Sequence, residues 1–147
     1  MLKETNLLLI YMEEYIMGKI IMSPGKYIQE NGALSKINNY AGVFGTNFLI
    51  LATESGMKRT KALVEKSFEG AGKQLVFEVF NKECCKSEIQ RLMAAAKEKG
   101  CDCIIGIVGG KLLDTAKAVA HYLNVPVVVA PTIASTDAPC SALAVKP

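Results

Sequence analysis

The stretch "CDCIIGIVGGKLLDTAKAVAHYLNVPVVVA", Cys101 to Ala130, decides the fold. It reads as an apolar strand over 101–108, a glycine turn, a helix over 111–124 and a second apolar strand over 125–130. Strands that are apolar throughout are typical of parallel sheets covered on both faces. The helix has an apolar stripe that faces such a sheet, formed by Leu112, Ala116, Val119, Ala120 and Leu123.

The same alternation continues toward the N-terminus. Apolar runs over 47–52 and 75–80 predict two more buried strands. Residues 55–72 predict a helix that ends at Gly70 and Gly72. Its apolar stripe is expected to contain Met57, Leu63, Val64 and Phe68.

Two further segments complete the pattern. Residues 87–100 predict a helix that begins with a capping box of Ser87 and Gln90. Residues 23–42 predict a short strand and a helix that caps one edge of the sheet. Together the elements predict an α/β fold: a doubly wound, Rossmann-like parallel sheet with helices on both faces.

Composition narrows the classes of protein. A length of 147 residues suits one domain, and a net charge of +3 without a basic, aromatic-rich stripe argues against nucleic-acid binding. The apolar run over 7–12 is too short for a membrane span and lacks a signal-peptide cleavage site. Five cysteines without metal-ligand spacing indicate reduced thiols in a cytoplasmic protein. Cys101 and Cys103 are expected on one buried face of their strand.

The sequence changes character at Met17, where a regular pattern of apolar and polar residues begins. We interpret residues 1–16 as a non-conforming extension and residues 17–147 as a dinucleotide-binding domain.

The glycine turn is the first candidate site. Gly109 and Gly110 allow positive φ and a close backbone approach, and a helix N-terminus beyond them attracts an anion such as pyrophosphate. The pattern matches neither the P-loop nor GxGxxG. Lys111 is either a phosphate partner or a surface lysine. Asp114 either contacts the ligand or is simply an acidic residue in the first turn, where the helix dipole stabilises it.

The second candidate site is the loop "APTIASTDAPCSALAV" over 130–145, rich in small hydroxyl residues and expected at the same edge of the sheet. Asp137 either holds substrate hydroxyls or caps a turn. His121, the single histidine, is expected on the polar side of its helix without metal partners.

The stretch from Gly109 to Val145, with "SPGKYIQ" over 23–29, resembles the cofactor domain of glycerol-oxidising enzymes in the iron-containing alcohol dehydrogenase family. The resemblance implies oxidation of glycerol to dihydroxyacetone with NAD, in a zinc-dependent homo-oligomer. It also implies that Asp137 binds glycerol. The dinucleotide would contact Gly109, Gly110, Lys111, Asp114, Thr132, Ser135, Ser141 and Leu143.

The sequence departs from that family in three places. Val108 replaces a usual glycine, and Thr53, next to Glu54, replaces an aspartate for the adenosine ribose. The family's second, helical domain carries the zinc ligands, which are absent here, so no catalytic or metal-binding residue is assigned to this chain. We therefore expect a chain truncated at its C-terminus and inactive alone. The alternatives are a nucleotide-binding module without catalysis and the related dehydroquinate synthases, whose cofactor loop follows another pattern.

Overall fold

A computed structural model describes Ile28 and residues 31–107 and 109–131. Its centre is a parallel sheet of four strands, β1 (Asn47–Ala52), β2 (Gln74–Val79), β3 (Cys103–Ile107) and β4 (Val127–Ala130). They lie in the order β2-β1-β3-β4. The doubly wound parallel sheet predicted from the sequence is confirmed, and β1 has the expected bounds.

Helices cover both faces of the sheet. They are α1 (Ile37–Ala41), flanked by short 3₁₀ turns, α2 (Glu54–Phe68), α3 (Lys86–Glu98) and α4 (Gly110–Leu123). The chain moves outward from β1 to β2 through α2, then crosses back over β1 to reach β3. Because such crossovers are right-handed, the reversal places α3 and α4 on the face opposite α2.

Each face has its own apolar core. Phe48, Ile50 and Ile105 point toward α1 and α2, and the Phe48 ring packs 5.0 Å from that of Phe68. Leu49 and Ile104 point the other way. This second core includes the whole stripe predicted for α4, namely Leu112, Ala116, Val119, Ala120 and the partly buried Leu123. Successive side chains of each strand point to opposite faces of the sheet, and both faces are therefore buried.

A glycine in β3 allows α4 to lie close to the sheet. A Cβ placed on Gly106 would stand 2.8 Å from the Ala116 methyl group and 3.3 Å from the nearest Leu112 and Leu113 side-chain carbons. Real Cβ contacts are essentially never shorter than 3.0 Å. The absent side chain thus fixes the distance between β3 and α4, and with it the position of the helix N-terminus.

The carboxylate of Asp102 joins the amino ends of β1 and β3. It accepts hydrogen bonds from the backbone N–H groups of Thr46 and Asn47, each at 2.9 Å, and from the Thr46 hydroxyl at 2.9 Å. Burial opposes ionisation, but these donors hold the pKa of Asp102 below its usual range. The ionised carboxylate therefore stabilises the register of the two central strands.

Several helix predictions were wrong in detail. Leu63 is largely exposed, and the buried stripe of α2 contains Gly56 and Thr60 instead. The helix α3 begins one residue before Ser87, so its N-cap is Cys85 and the predicted capping box does not form. The expected glycine stops are confirmed, because Gly70 and Gly72 both have positive φ just after α2.

Two other expectations also need correction. The described part of the segment before β1, residues 31–46, packs on α2 and not at a sheet edge: α1 lies against that helix, and Ile37 and Ala41 join its core. The strand predicted within 23–42 falls mostly outside the described residues, and none lies within 31–42. Cys101 precedes β3 and packs against the core on the α4 side, whereas Cys103 is buried on the α2 side. The two thiols therefore do not share a face.

Among the helices that the structure describes, none has both the length and the apolar character needed to cross a bilayer. Residues 1–16, interpreted above as an extension, lie outside the described part of the chain.

Candidate functional site

The strand order creates a crevice at the carboxyl edge of the sheet. Connections leave β1 and β3 in opposite directions, so the ends of these two neighbouring strands stay open to a ligand. Thr53 follows β1, and Gly109 stands two residues after the end of β3. Both residues lead directly into a helix, and two helix N-termini thus face the same crevice.

The two helix N-termini differ in how their free N–H groups are used. The N–H of Gly56 donates to the Thr53 hydroxyl at 3.1 Å, so α2 is capped by its own side chain. The helix α4 has Gly109 as N-cap and no side-chain cap. Apart from the atoms of its chain neighbours, no described atom lies within 4 Å of a Cβ placed on Gly109. The end of α4 therefore has N–H groups that no described side chain caps, and the helix dipole there would favour an anion.

The backbone of the glycine turn is not left-handed at Gly109. Gly109 has φ −16° and ψ 161°, and neither Gly109 nor Gly110 is among the described glycines with positive φ. The glycines contribute open space near the helix, but neither adopts the positive φ that glycine allows.

Lys111 projects from the first turn of α4 and forms an ion pair. Its Nζ lies 2.8 Å and 2.9 Å from the two carboxylate oxygens of Glu83, in the turn after β2. Both side chains are about two-thirds exposed, at 65% and 66%. The pair connects the β2–α3 turn to the uncapped end of α4. It holds the Lys111 ammonium group beside the first turn of that helix.

Asp114 lies too far along α4 to be in its first turn, which contains no acidic residue. Its carboxylate is mostly buried and stands 3.8 Å from the Lys117 Nζ. The simple dipole interpretation was therefore wrong, because the helix starts at Gly110. His121 is exposed in the last turn, as expected.

The second predicted site begins at the same edge of the sheet. The last residue of β4, Ala130, pairs with Ile107 at the carboxyl end of β3. The chain therefore leaves β4 beside the crevice at Pro131. The remaining predicted residues lie outside the described part of the chain; they are Thr132, Ser135, Asp137, Ser141 and Leu143.

A groove of about 740 Å³ adjoins the crevice at the ends of β1 and β2. We call it the β1–β2 groove. The sequence pointed to Thr53 and Glu54, directly after β1, whereas most other lining residues lie at the end of β2, in the turn after it or on α3. Its walls are Thr53, Glu54, Ser55, Lys58, Val79, Phe80, Asn81, Lys82 and Arg91.

Arg91 in this groove is held by four hydrogen bonds. Its guanidinium donates to Glu88 at 2.6 and 2.9 Å, to Glu78 at 3.0 Å and to the Val79 carbonyl at 3.0 Å. Glu88 is buried and also accepts from the Asn81 N–H at 3.0 Å. The hydrogen bonds from Arg91 hold the pKa of Glu88 below its usual range, and those to Glu88 raise that of Arg91. This network fixes α3 to the turn after β2.

Metal ligation finds no support among the described residues, which contain no cluster of three or more histidine, cysteine or acidic side chains. Within the described part of the chain, no disulfide forms at Cys84, Cys85, Cys101 or Cys103.

Comparisons with a family model and with known proteins point to the same family of enzymes. Residues 24–146 match the family model described as iron-containing alcohol dehydrogenase. A glycerol dehydrogenase of Escherichia coli O6:H1 is 46% identical over 129 residues, which are 88% of this chain and 35% of that protein. A glycolaldehyde reductase of Halobacterium salinarum is 39% identical over the same shares.

A solved protein structure is also similar to this chain. The crystal structure of a probable glycerol dehydrogenase from Sinorhizobium meliloti matches with a TM-score of 0.78 and 40% identity, over 87% of this chain and 34% of that one. The chain thus spans about a third of the length of the relatives it matches.

Proposed function

Because the chain belongs to the iron-containing alcohol dehydrogenase family, we propose that residues 17–147 are the NAD-binding domain of a glycerol dehydrogenase. The reaction is the oxidation of glycerol to dihydroxyacetone. The relatives named above support a dehydrogenase of small hydroxy compounds. The choice of glycerol and NAD follows the resemblance of the loop over 130–145.

One observation carries the cofactor assignment. The helix α4 is uncapped, it faces the crevice where the strand order reverses, and the space beside Gly109 is empty of described atoms. Backbone N–H groups and the helix dipole there suit a pyrophosphate. Lys111 adds a cation that a bound phosphate can share with Glu83. The residues present therefore fit a dinucleotide.

The remaining contacts are assigned by resemblance. Gly109, Gly110, Lys111 and Asp114 hold the dinucleotide at α4, and the loop after β4 lines the rest of its site through Thr132, Ser135, Ser141 and Leu143. Asp137 binds the hydroxyl groups of glycerol. NAD, when bound, accepts the hydride from the substrate carbon.

Activation of the substrate is assigned to residues outside this chain. By the resemblance, a second helical domain would hold a zinc ion, which would supply Lewis-acid polarisation of the substrate hydroxyl. We propose that a polypeptide of these 147 residues binds NAD but does not oxidise glycerol alone. A cytoplasmic location, a homo-oligomeric full-length enzyme and the lack of nucleic-acid or membrane binding belong to the same proposal.

The test is direct titration of the 147-residue chain with NADH, followed by the fluorescence of the nicotinamide. In the variant Gly109→Asp, the new carboxylate caps α4 and repels pyrophosphate, so NADH affinity is expected to fall at least about tenfold. Gly109→Ser is the matched control for a cap without charge. Equal NADH binding by the wild type and Gly109→Asp would contradict the proposed site.

A separate assay addresses catalysis. Glycerol-dependent NADH formation by the 147-residue chain, with zinc supplied, is expected to be absent. Substantial turnover would overturn the assignment of catalysis to another domain and leave the NAD site standing.

A further inference from the structure

Two adjacent cysteines lie between β2 and α3. Cys84 and Cys85 are the only pair of neighbouring cysteines in the sequence, and Cys85 is the N-cap residue of α3. Each of the two residues is partly exposed. Neither thiol takes part in the proposed function.

Cys85 has the features of a reactive thiol. Its Sγ lies 3.2 Å from the Ser87 Oγ. The N-cap position places it at the positive end of the α3 dipole, where a thiolate is favoured. Hydrogen bonds with the Ser87 hydroxyl and the Glu88 N–H lower the pKa of Cys85. The thiolate is therefore formed more readily at Cys85 than at Cys101 or Cys103, whose pKa values are raised by burial.

Cys84 is placed to react with an oxidised Cys85. One peptide bond joins the two residues, so no distant part of the chain has to approach. Cys84 packs against the core on the α4 side, whereas the Cys85 Sγ lies beside Ser87. A disulfide between them therefore requires the joining peptide to turn. Residues 81–83, directly before the pair, are exposed, so the turn can adjust without unfolding β2 or α3.

A disulfide between these neighbours would be easily reversed. Consecutive Cα atoms are about 3.8 Å apart, whereas the Cα atoms of a relaxed disulfide are separated by about 4.4–6.8 Å. The bond between Cys84 and Cys85 would therefore be strained. Strained, exposed disulfides are reduced readily by small thiols. The geometry thus suits a reversible bond better than a permanent structural one.

We propose that Cys84 and Cys85 form a dithiol that hydrogen peroxide oxidises reversibly to a disulfide. The Cys85 thiolate attacks one peroxide oxygen, the O–O bond breaks, and hydroxide leaves and takes up a proton to become water. Cys84 then loses its proton and attacks the sulfur of the Cys85 sulfenic acid, so that the S–S bond forms and a second water leaves. Both sulfur atoms are oxidised and the peroxide is reduced. A small thiol such as glutathione restores the pair.

The test is peroxide oxidation of the reduced 147-residue chain, followed by alkylation, trypsin digestion and mass spectrometry. Trypsin cuts after Lys82 and Lys86, so the peptide over 83–86 contains both thiols and no other cysteine. This peptide is expected to lose two hydrogen atoms and to resist alkylation until a reductant is added. It should be oxidised at least about tenfold faster than the peptide that contains Cys101 and Cys103. Equal rates, or a disulfide from this peptide to any other cysteine, would overturn the proposal.

Two variants assign the roles of the thiols. In Cys84→Ser, the Cys85 sulfenic acid is expected to persist and to be trapped by dimedone. In Cys85→Ser, oxidation of Cys84 is expected to be at least about tenfold slower than oxidation of the wild-type pair. Cys101→Ser is the matched control and should leave the oxidation of peptide 83–86 unchanged. Absence of a trapped sulfenic acid in Cys84→Ser, or unchanged oxidation in Cys85→Ser, would contradict the proposed order of attack.

Discussion

Lys111 and Glu83 form an ion pair that joins the first turn of α4 to the turn after β2, with Nζ–O distances of 2.8 and 2.9 Å. The pair is exposed to water, so its contribution to folding stability is small. The pair should instead affect cofactor affinity at the proposed pyrophosphate site, because the Glu83 carboxylate competes with a phosphate for Lys111.

Removing the Glu83 charge should therefore strengthen cofactor binding. In Glu83→Gln we expect the NADH dissociation constant to fall about twofold to fivefold at low salt, and the difference to shrink as salt screens the site. The control is Glu65→Gln, which removes another exposed partner of a lysine, Lys61, on α2. Weaker binding in Glu83→Gln would show instead that Glu83 holds Lys111 in its binding position.

Asp102 should make the fold sensitive to acid. Its pKa is below the usual range in the folded chain, so its stabilising effect is complete above the unfolded pKa of about 4 and is lost as the pH falls through the lower folded value. We expect wild-type stability in urea to fall below about pH 4, and the variant Asp102→Asn to start less stable and show a shallower fall. Parallel pH profiles of the two proteins would rule out this role of the carboxylate.

Gly106 should tolerate no side chain. In Gly106→Ala the added methyl meets Ala116, and since both groups are short and rigid, α4 must move. We expect a loss of about 1–3 kcal/mol in the free energy of unfolding, measured with urea. Ala116→Gly alone costs about 1 kcal/mol through helix propensity. The double variant should lose less than the sum of the two single changes, and simple additivity would show that the two groups do not collide.

The thiols of Cys85 and Cys103 should differ in reactivity. Burial raises the pKa of Cys103 to about 12, whereas a hydrogen bond with the Ser87 hydroxyl lowers that of Cys85. Since the thiolate is the reactive form, iodoacetamide at neutral pH should label Cys85 well before Cys103 in the folded chain, as read by peptide mass spectrometry. Ser87→Ala should slow the labelling of Cys85. Labelling of Cys103 at the same rate would show that β3 is open to solvent.

The sequence predicted the sheet well because its signal is local. β1 is a continuous apolar run, and its bounds agree with the prediction at Asn47 and Ala52. The stripe of α4 was also readable from spacing alone. The first residue of each helix was harder to predict, because an N-cap depends on backbone geometry. Ser87 fits the sequence pattern of a cap, but Cys85 occupies the N-cap position.

Other features could not be predicted because they join distant parts of the chain. Glu83 and Lys111 are 28 residues apart, and neither belongs to a pattern that points to the other. Leu63 fits an apolar stripe, but it is exposed in the folded chain. The pair Glu88 and Arg91, by contrast, has an i, i+3 spacing on a predicted helix, which could have indicated the network near the groove.

The strand order also bears on how this sheet forms during synthesis. β1 lies between β2 and β3, and β3 is made only after α2, β2 and α3. Until residues 103–107 have left the ribosome, one edge of the apolar strand β1 has no partner from its own chain. An unpaired apolar edge is a template for association between chains. A pause in translation within α3 would therefore expose the nascent protein to aggregation at its central strand.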